Sequence, residues 1–203
     1  MEMTDSLARI ILLVGFALFM PIGVCFRLRS QTDERLDRLQ EGWSILIGLR
    51  LLAFVFMAGL VAFLIDPRSM AWASFPLPGW ARWLGVVLGV ATPALAIWTF
   101  RTLGHNLTDT VVTRRDATLV TNGPYRWVRH PFYLAFAIAV LANTLVTANA
   151  FLAIFGTAAF LMIVARTSIE ERKLIERFGD SYRDYMQHTG RFLPRILRGR
   201  EPR

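Results

Sequence analysis

The residues richest in chemistry lie between a Gly-Pro turn and a proline that can open a helix. The stretch Leu119-Val120-Thr121-Asn122-Gly123-Pro124-Tyr125-Arg126-Trp127-Val128-Arg129-His130-Pro131-Phe132-Tyr133 sets Arg, His and two Tyr at the mouth of an apolar segment. Imidazole, phenol, guanidinium and the free N–H groups of a helix start can together bind a carboxylate, hydroxyls and an adenine edge. Further on, Arg166, Glu170 and Glu171 stand where the last apolar segment ends. Ionisable groups at a membrane edge are expensive to desolvate, which makes them candidate site residues by default. Two such clusters on one membrane face point to a single polar pocket roofed by both.

Within the second cluster, Arg166 and Glu170 are four residues apart and share one helix face. Glu171 lies about 100° further round the helix, so Glu170 is expected to face the pocket. Plainer roles compete with each of these. Arg166 and Glu170 can form an interfacial ion pair of small energetic value. Arg126 and Arg129 can be basic flanks of a span, with Tyr125, Trp127 and Tyr133 as an aromatic belt. His105 and Asn106 read as polar loop residues, and His188, Tyr182 and Tyr185 as packing and surface.

The elements that must position these groups are apolar helices. The chain is 54% hydrophobic with a formal charge of +8, and its mean hydropathy is +0.42. Apolar runs of roughly 20 residues are long enough to cross a bilayer. Spans are expected near Leu7–Phe26, Trp43–Ile65, Ala81–Phe100, Phe132–Val146 and Ala150–Ala165. The last two are short, separated only by Thr147, Ala148 and Asn149, and read as a tight helical hairpin. The expected fold is an all-α integral membrane protein of about five transmembrane helices. It forms one domain over residues 1–203, with a cytosol-facing pocket in the C-terminal half.

Basic residues cluster after the first and third spans and in the tail, whereas Arg9, Arg68 and Arg82 are left on the opposite face. By the positive-inside rule the N-terminus is outside and the C-terminus cytoplasmic. A short Arg-rich chain of this kind suits a bacterial inner membrane. Arg50, inside the second span, is placed to snorkel to the surface. Pro93 falls inside the third span, where it can free a carbonyl. Trp72 and Trp80 suit the headgroup boundary.

On the charged side, Thr110-Val111-Val112-Thr113 and Thr118-Leu119-Val120-Thr121 flank a polar turn and read as a two-stranded flap. Pro131 suits the first turn of the fourth span, where its missing N–H costs nothing. The fifth span is expected to run on into water, with Ile169, Leu174, Ile175 and Phe178 as its apolar stripe. Gly179 then caps it, a short amphipathic helix begins near Ser181, and the chain ends in a basic, frayed tail.

Several classes are excluded. The acidic leader and the lack of a small-residue cleavage pattern argue against a secretory signal. A single cysteine, Cys25, rules out an intrachain disulfide or a cysteine metal cluster. His105, His130 and His188 are too scattered for a HExxH-type zinc site. No soluble domain presents a basic face to nucleic acid. No glycine-rich loop follows a strand, so a Rossmann-type cofactor site is absent.

The motif Leu119-Val120-Thr121-x-Gly123-Pro124-Tyr125-x-Trp127-x-Arg129-His130-Pro131-x-Tyr133, followed by Arg166, Glu170-Glu171 and Phe178-Gly179-x-x-Tyr182-x-x-Tyr185, resembles the isoprenylcysteine carboxyl methyltransferase family. The resemblance runs from about Asn106 to Pro194. It implies an integral membrane methyltransferase using S-adenosylmethionine, held in a cytosol-facing pocket. It further implies that Leu119, Val120, Tyr125, His130, Pro131, Tyr133 and Glu170 contact that cofactor and that Arg166 engages the substrate. Ala117 stands where eukaryotic members carry a histidine, and Thr113 is a loose match to a polar cofactor contact.

In such an enzyme the methyl donor is already activated, so the protein aligns the partners and excludes water. A carboxylate acceptor needs no base and would be oriented by Arg166; an amine would lose a proton, which Glu170 can take. The acceptor is expected to be a lipophilic small molecule or lipid, entering between helices among membrane lipids. Phospholipid N-methylation is one alternative. A second is an NADPH-dependent reductase resembling sterol reductases, with Arg114, Arg115 and Arg126 near the 2′-phosphate. A third is a non-catalytic protein whose basic tail binds anionic lipid.

Overall fold

The computed structural model describes residues 3–30, 43–104 and 118–195. They form six helices: α1 (Asp5–Ser30), α2 (Trp43–Ile65), α3 (Gly79–Leu103), α4 (Pro131–Thr147), α5 (Ala150–Phe178) and α6 (Asp180–His188). Short 3-10 segments at Pro67–Ala73 and Gly123–Arg126 punctuate the connections. Among the described residues extended pairing is confined to two isolated bridges, Ser74 with Asn149 and Val128 with Gly190. Thr118–Thr121 is not in a strand, and the other arm of the expected flap lies outside the described residues, as do His105, Asn106, Thr113, Arg114, Arg115 and Ala117.

Three helices are long and apolar enough to cross a membrane among the described residues: α2 from Ile47 to Ile65, α3 and α5. α4 is apolar but has only 17 residues, about 25 Å of helix against a hydrocarbon core of about 30 Å. α5 is 29 residues long and its charged C-terminal third carries it beyond the apolar stretch, as its sequence pattern implies. Arg50 is exposed on α2, Trp72 in the 3-10 segment Pro67–Ala73 and Trp80 in the first turn of α3.

α4 packs between α3 and α5, and α2 lies on the other side of α5. Gly85 makes the first contact possible, because a Cβ there would lie 2.7 Å from Leu145 Cβ and 2.9 Å from the Ala142 carbonyl oxygen. The hairpin between α4 and α5 is as tight as its sequence suggests. Ala148 adopts a left-handed conformation, φ 47°, and Asn149 caps α5 by accepting from the Leu152 N–H at 3.2 Å. The same Asn149 side chain donates to the Met70 carbonyl at 2.9 Å, pinning the hairpin to the 3-10 segment.

The apolar core gathers at this end: Leu60, Phe63, Met70, Val146 and Leu152, with Met3 and Ala8 of the N-terminal region. Two arginines close it off. Arg9 Nε donates to the Leu64 carbonyl at 2.6 Å. Arg82 is buried and spends its guanidinium on the Val146 and Met3 carbonyls and on Asp5, 2.9 Å away. Each satisfies a carbonyl left without an intrahelical partner at a helix end. Both were assigned from sequence to the less basic face; here they hold helices together.

Candidate active site

The site is built at the other end of the molecule, where α4 begins and α5 emerges from its apolar stretch. Its floor is the C-terminal turn of α3. Gly123, φ +54°, lies so close to Thr102 that a Cβ would sit 2.5 Å from its hydroxyl oxygen. Trp98 packs edge-on to Trp127 with centroids 5.5 Å apart, and Phe100 against Phe132 at 5.1 Å. These contacts set the 3-10 turn Gly123–Arg126 against α3, so that Tyr125 and the start of α4 face inward.

α4 begins at Pro131, which is fully buried and occupies the first helical position, where proline is favoured. His130 precedes it as N-cap, yet its side chain makes no capping bond. Instead the ring is buried between α4 and α5. Its Nε2 lies 3.3 Å from Glu171 and its Nδ1 3.8 Å from Glu170. Tyr133, one turn on, stacks against the His130 ring at 5.4 Å with planes 8° apart. The Tyr133 hydroxyl donates to Glu170 at 2.8 Å. Charge-assisted bonds of this kind are about twice as strong as neutral ones.

The two adjacent glutamates have different surroundings. Glu170 is a quarter exposed in its side chain and meets Tyr133. Glu171 is buried, 4% exposed, and is held by Arg129 Nε at 2.9 Å, by the Arg191 guanidinium and by His130. The helical rotation that separated them on sequence grounds holds, but His130 bridges both directions because its two nitrogens point to opposite sides. Arg166 is half-buried one turn before Glu170 on α5, and Leu119 and Val120 are half-buried in the approach to the turn.

The other side is closed by the segment after α6. Arg129 N–H donates to the Gly190 carbonyl at 2.8 Å, and His130 N–H to the Arg191 carbonyl at 3.1 Å. The Arg129 guanidinium reaches the Thr189 and Met186 carbonyls. Phe192 packs on His130 with centroids 5.9 Å apart, and Phe160 of α5 packs on Phe192 at 6.4 Å. Tyr185 of α6 donates its hydroxyl to the Tyr125 carbonyl at 2.6 Å. Burial pushes the Tyr182 and Tyr185 phenols up, and burial with the charge of Glu170 does the same for Tyr125.

The structure therefore brings Tyr125, His130, Pro131, Tyr133 and Glu170 together, with Arg166 on the same helix as Glu170. Sequence reasoning gave residues 189–192 no role of their own, and it set Tyr182 and Tyr185 aside as packing and surface. The local signal for the first was weak: a glycine after an amphipathic helix. His188 is exposed beside Asp184, as expected.

The model of the isoprenylcysteine carboxyl methyltransferase (ICMT) family matches residues 83–176. This segment holds every residue of the cluster up to the acidic pair. Over that segment, under half of its length, the chain is similar to this family. The match starts within α3, earlier than the motifs alone suggested, and ends before α6.

Among similar proteins, a methanethiol S-methyltransferase of Mycobacterium tuberculosis is 39% identical over 70 residues, 34% of this chain and 28% of the relative. A protein-S-isoprenylcysteine O-methyltransferase of Dictyostelium discoideum is 32% identical over 117 residues, 56% of this chain and 49% of the relative. The chain spans half or less of the length of these relatives. A solved eukaryotic intramembrane Ras methyltransferase, ICMT, superposes with a TM-score of 0.55 at 21% identity, covering 91% of this chain and 63% of that one. That likeness is one of fold, and it extends the resemblance into the N-terminal helices. With the apolar helices it supports an all-α integral membrane protein.

Proposed function

We propose that this protein is an S-adenosylmethionine-dependent methyltransferase acting on a lipophilic acceptor at the membrane–cytosol boundary. The observation that carries the reading is the convergence of His130, Tyr133 and Glu170 at the start of α4, inside the family segment. The relatives named above are methyltransferases.

The donor set fits the cofactor. S-adenosylmethionine supplies a methyl group on a sulfonium, which needs no further activation. A carboxylate such as Glu170 and the aromatic faces of Tyr125 and Tyr133 stabilise a cation at a membrane edge. Leu119 and Val120 add apolar surface, and His130 with the opening turn of α4 at Pro131 adds polar groups. Arg166, a turn before Glu170, orients an anionic acceptor. The surrounding aromatic and helical walls exclude water, which keeps hydrolysis from competing.

The acceptor enters laterally from the lipid. Relatives include S- and O-methyltransferases, so carboxylate and thiol acceptors are the classes to assay. In this reading five helices, α1 to α5, span the bilayer, with the N-terminus outside and the pocket and C-terminus cytosolic, in a bacterial inner membrane. Residues 1–203 act as one domain. The excess of basic residues in the connections and tail on the site's side supports that orientation.

Calorimetry on detergent-purified protein tests the reading. S-adenosylmethionine is expected to bind, and Glu170→Ala and His130→Ala to weaken it, whereas NADPH is expected not to bind. Binding of NADPH alone would overturn the methyltransferase reading in favour of a reductase. Binding of neither by folded protein would argue for a non-catalytic role. A labelled-methyl assay with a prenylcysteine carboxylate and an alkyl thiol then identifies the acceptor class.

A further inference from the structure

Glu171 holds the site together from behind. Its carboxylate meets three side chains from two separate parts of the chain: Arg129 and His130 at the approach to α4, and Arg191 after α6. The backbone repeats the connection, because the Gly190 and Arg191 carbonyls accept from the N–H groups of Arg129 and His130. Two guanidinium groups already suffice to balance one carboxylate, so the contact to His130 Nε2 has a separate consequence. A partner on one imidazole nitrogen selects which nitrogen carries the proton.

We propose that Glu171 is a positioning residue that accepts a hydrogen bond from His130 Nε2–H and so leaves Nδ1 as an acceptor facing Glu170. Nδ1 and the Glu170 carboxylate lie 3.8 Å apart, beyond hydrogen-bonding distance. Two acceptors so placed select an N–H donor from the ligand. An ammonium or exocyclic amine of the cofactor has that chemistry, and this part of the proposal rests on the S-adenosylmethionine reading. Tyr133 keeps the arrangement in place by donating to Glu170 Oε2, the same oxygen that lies nearest Nδ1.

The test uses the three histidines of the chain, which give a sparse spectrum in protein labelled with ¹⁵N-histidine and held in detergent. His130 is assigned by substitution and observed at a pH where its own ¹⁵N shifts show a neutral ring. Protonated Nε2 and bare Nδ1 are expected. A bare Nε2 would overturn the proposal, and this holds even if Glu171→Gln does not fold. Glu171→Gln is expected to raise the fraction of the Nδ1–H form and to weaken S-adenosylmethionine binding at least tenfold. A lower melting temperature with unchanged tautomer and affinity would reduce Glu171 to a structural ion pair and sink the idea. Absence of S-adenosylmethionine binding by the wild type would instead refute the cofactor reading, while the tautomer would still decide the role of Glu171.

Discussion

In the proposed function the side chains of the site divide into those that would face the cofactor and those that hold them. Tyr133 belongs to both groups, since it stacks on His130 and donates to Glu170 at 2.8 Å. Removing its hydroxyl takes one charge-assisted bond from Glu170, worth about 1.5–3 kcal/mol. Tyr133→Phe is therefore expected to weaken S-adenosylmethionine binding roughly tenfold or more, while the shape of the core survives; calorimetry with a melting curve separates the two effects. Arg129 is a holding residue. Without it, Glu171 stays buried with part of its charge uncompensated, and breaking a buried pair costs about 3–5 kcal/mol. Arg129→Ala is expected to destabilise the protein by that order in a denaturation titration. These residues were only partly legible in the sequence. Local spacing put Arg166 and Glu170 on one face, but nothing local reveals that Arg191 reaches Glu171, twenty positions earlier in the chain.

Among the elements, the segment 189–192 is the one that periodicity does not find. It has no repeat of its own, and its order comes from hydrogen bonds to residues 129 and 130. Gly190 shows how closely it is held, because a Cβ there would lie 1.8 Å from the Leu193 carbonyl oxygen. Gly190→Ala must move backbone, at a cost of about 1–3 kcal/mol for such overpacking. The variant is expected to release the segment, read as faster proteolysis near residue 190 and weaker cofactor binding. The helices themselves were largely anticipated: Pro131 opens α4, α5 continues beyond its apolar stretch, and Gly179 ends it at φ +56°. Each of these follows from strong local signals, namely a missing N–H, an apolar run turning amphipathic, and a residue free of Cβ strain.

At the scale of the whole molecule, an apolar core at one end and a polar site at the other are joined by α3, α4 and α5. The site end also carries three phenols, buried Tyr182 and Tyr185 and half-buried Tyr125, whose removal from water raises them above the ordinary value near 10. A group raised on folding contributes stability that is complete below its unfolded pKa and is lost as pH climbs through the folded one. Melting temperature is thus expected to hold to about pH 10 and to fall above it, with phenolate absorbance appearing as the site end opens. A flat profile with early phenolate absorbance would mean that these tyrosines are solvated. Orientation is tested on the same scale: reporters fused after Arg203 should be active only in the cytoplasm, and a periplasmic signal would invert the assignment.

The sequence alone determined the class of fold, the helix starts and stops, and the residues that converge at the start of α4. The fold class and helix ends rest on composition, 3.6-residue periodicity and Pro or Gly punctuation, all carried by neighbours in the chain, whereas the site residues rest on motifs grouped by their resemblance to a family. Only the tertiary structure decided which acid is held where. Glu170 and Glu171 are adjacent in sequence, and their difference arises from partners at positions 129, 130, 133 and 191. Burial and ion pairing are set by what packs from other elements, which is why local spacing could place both acids but could not separate their roles.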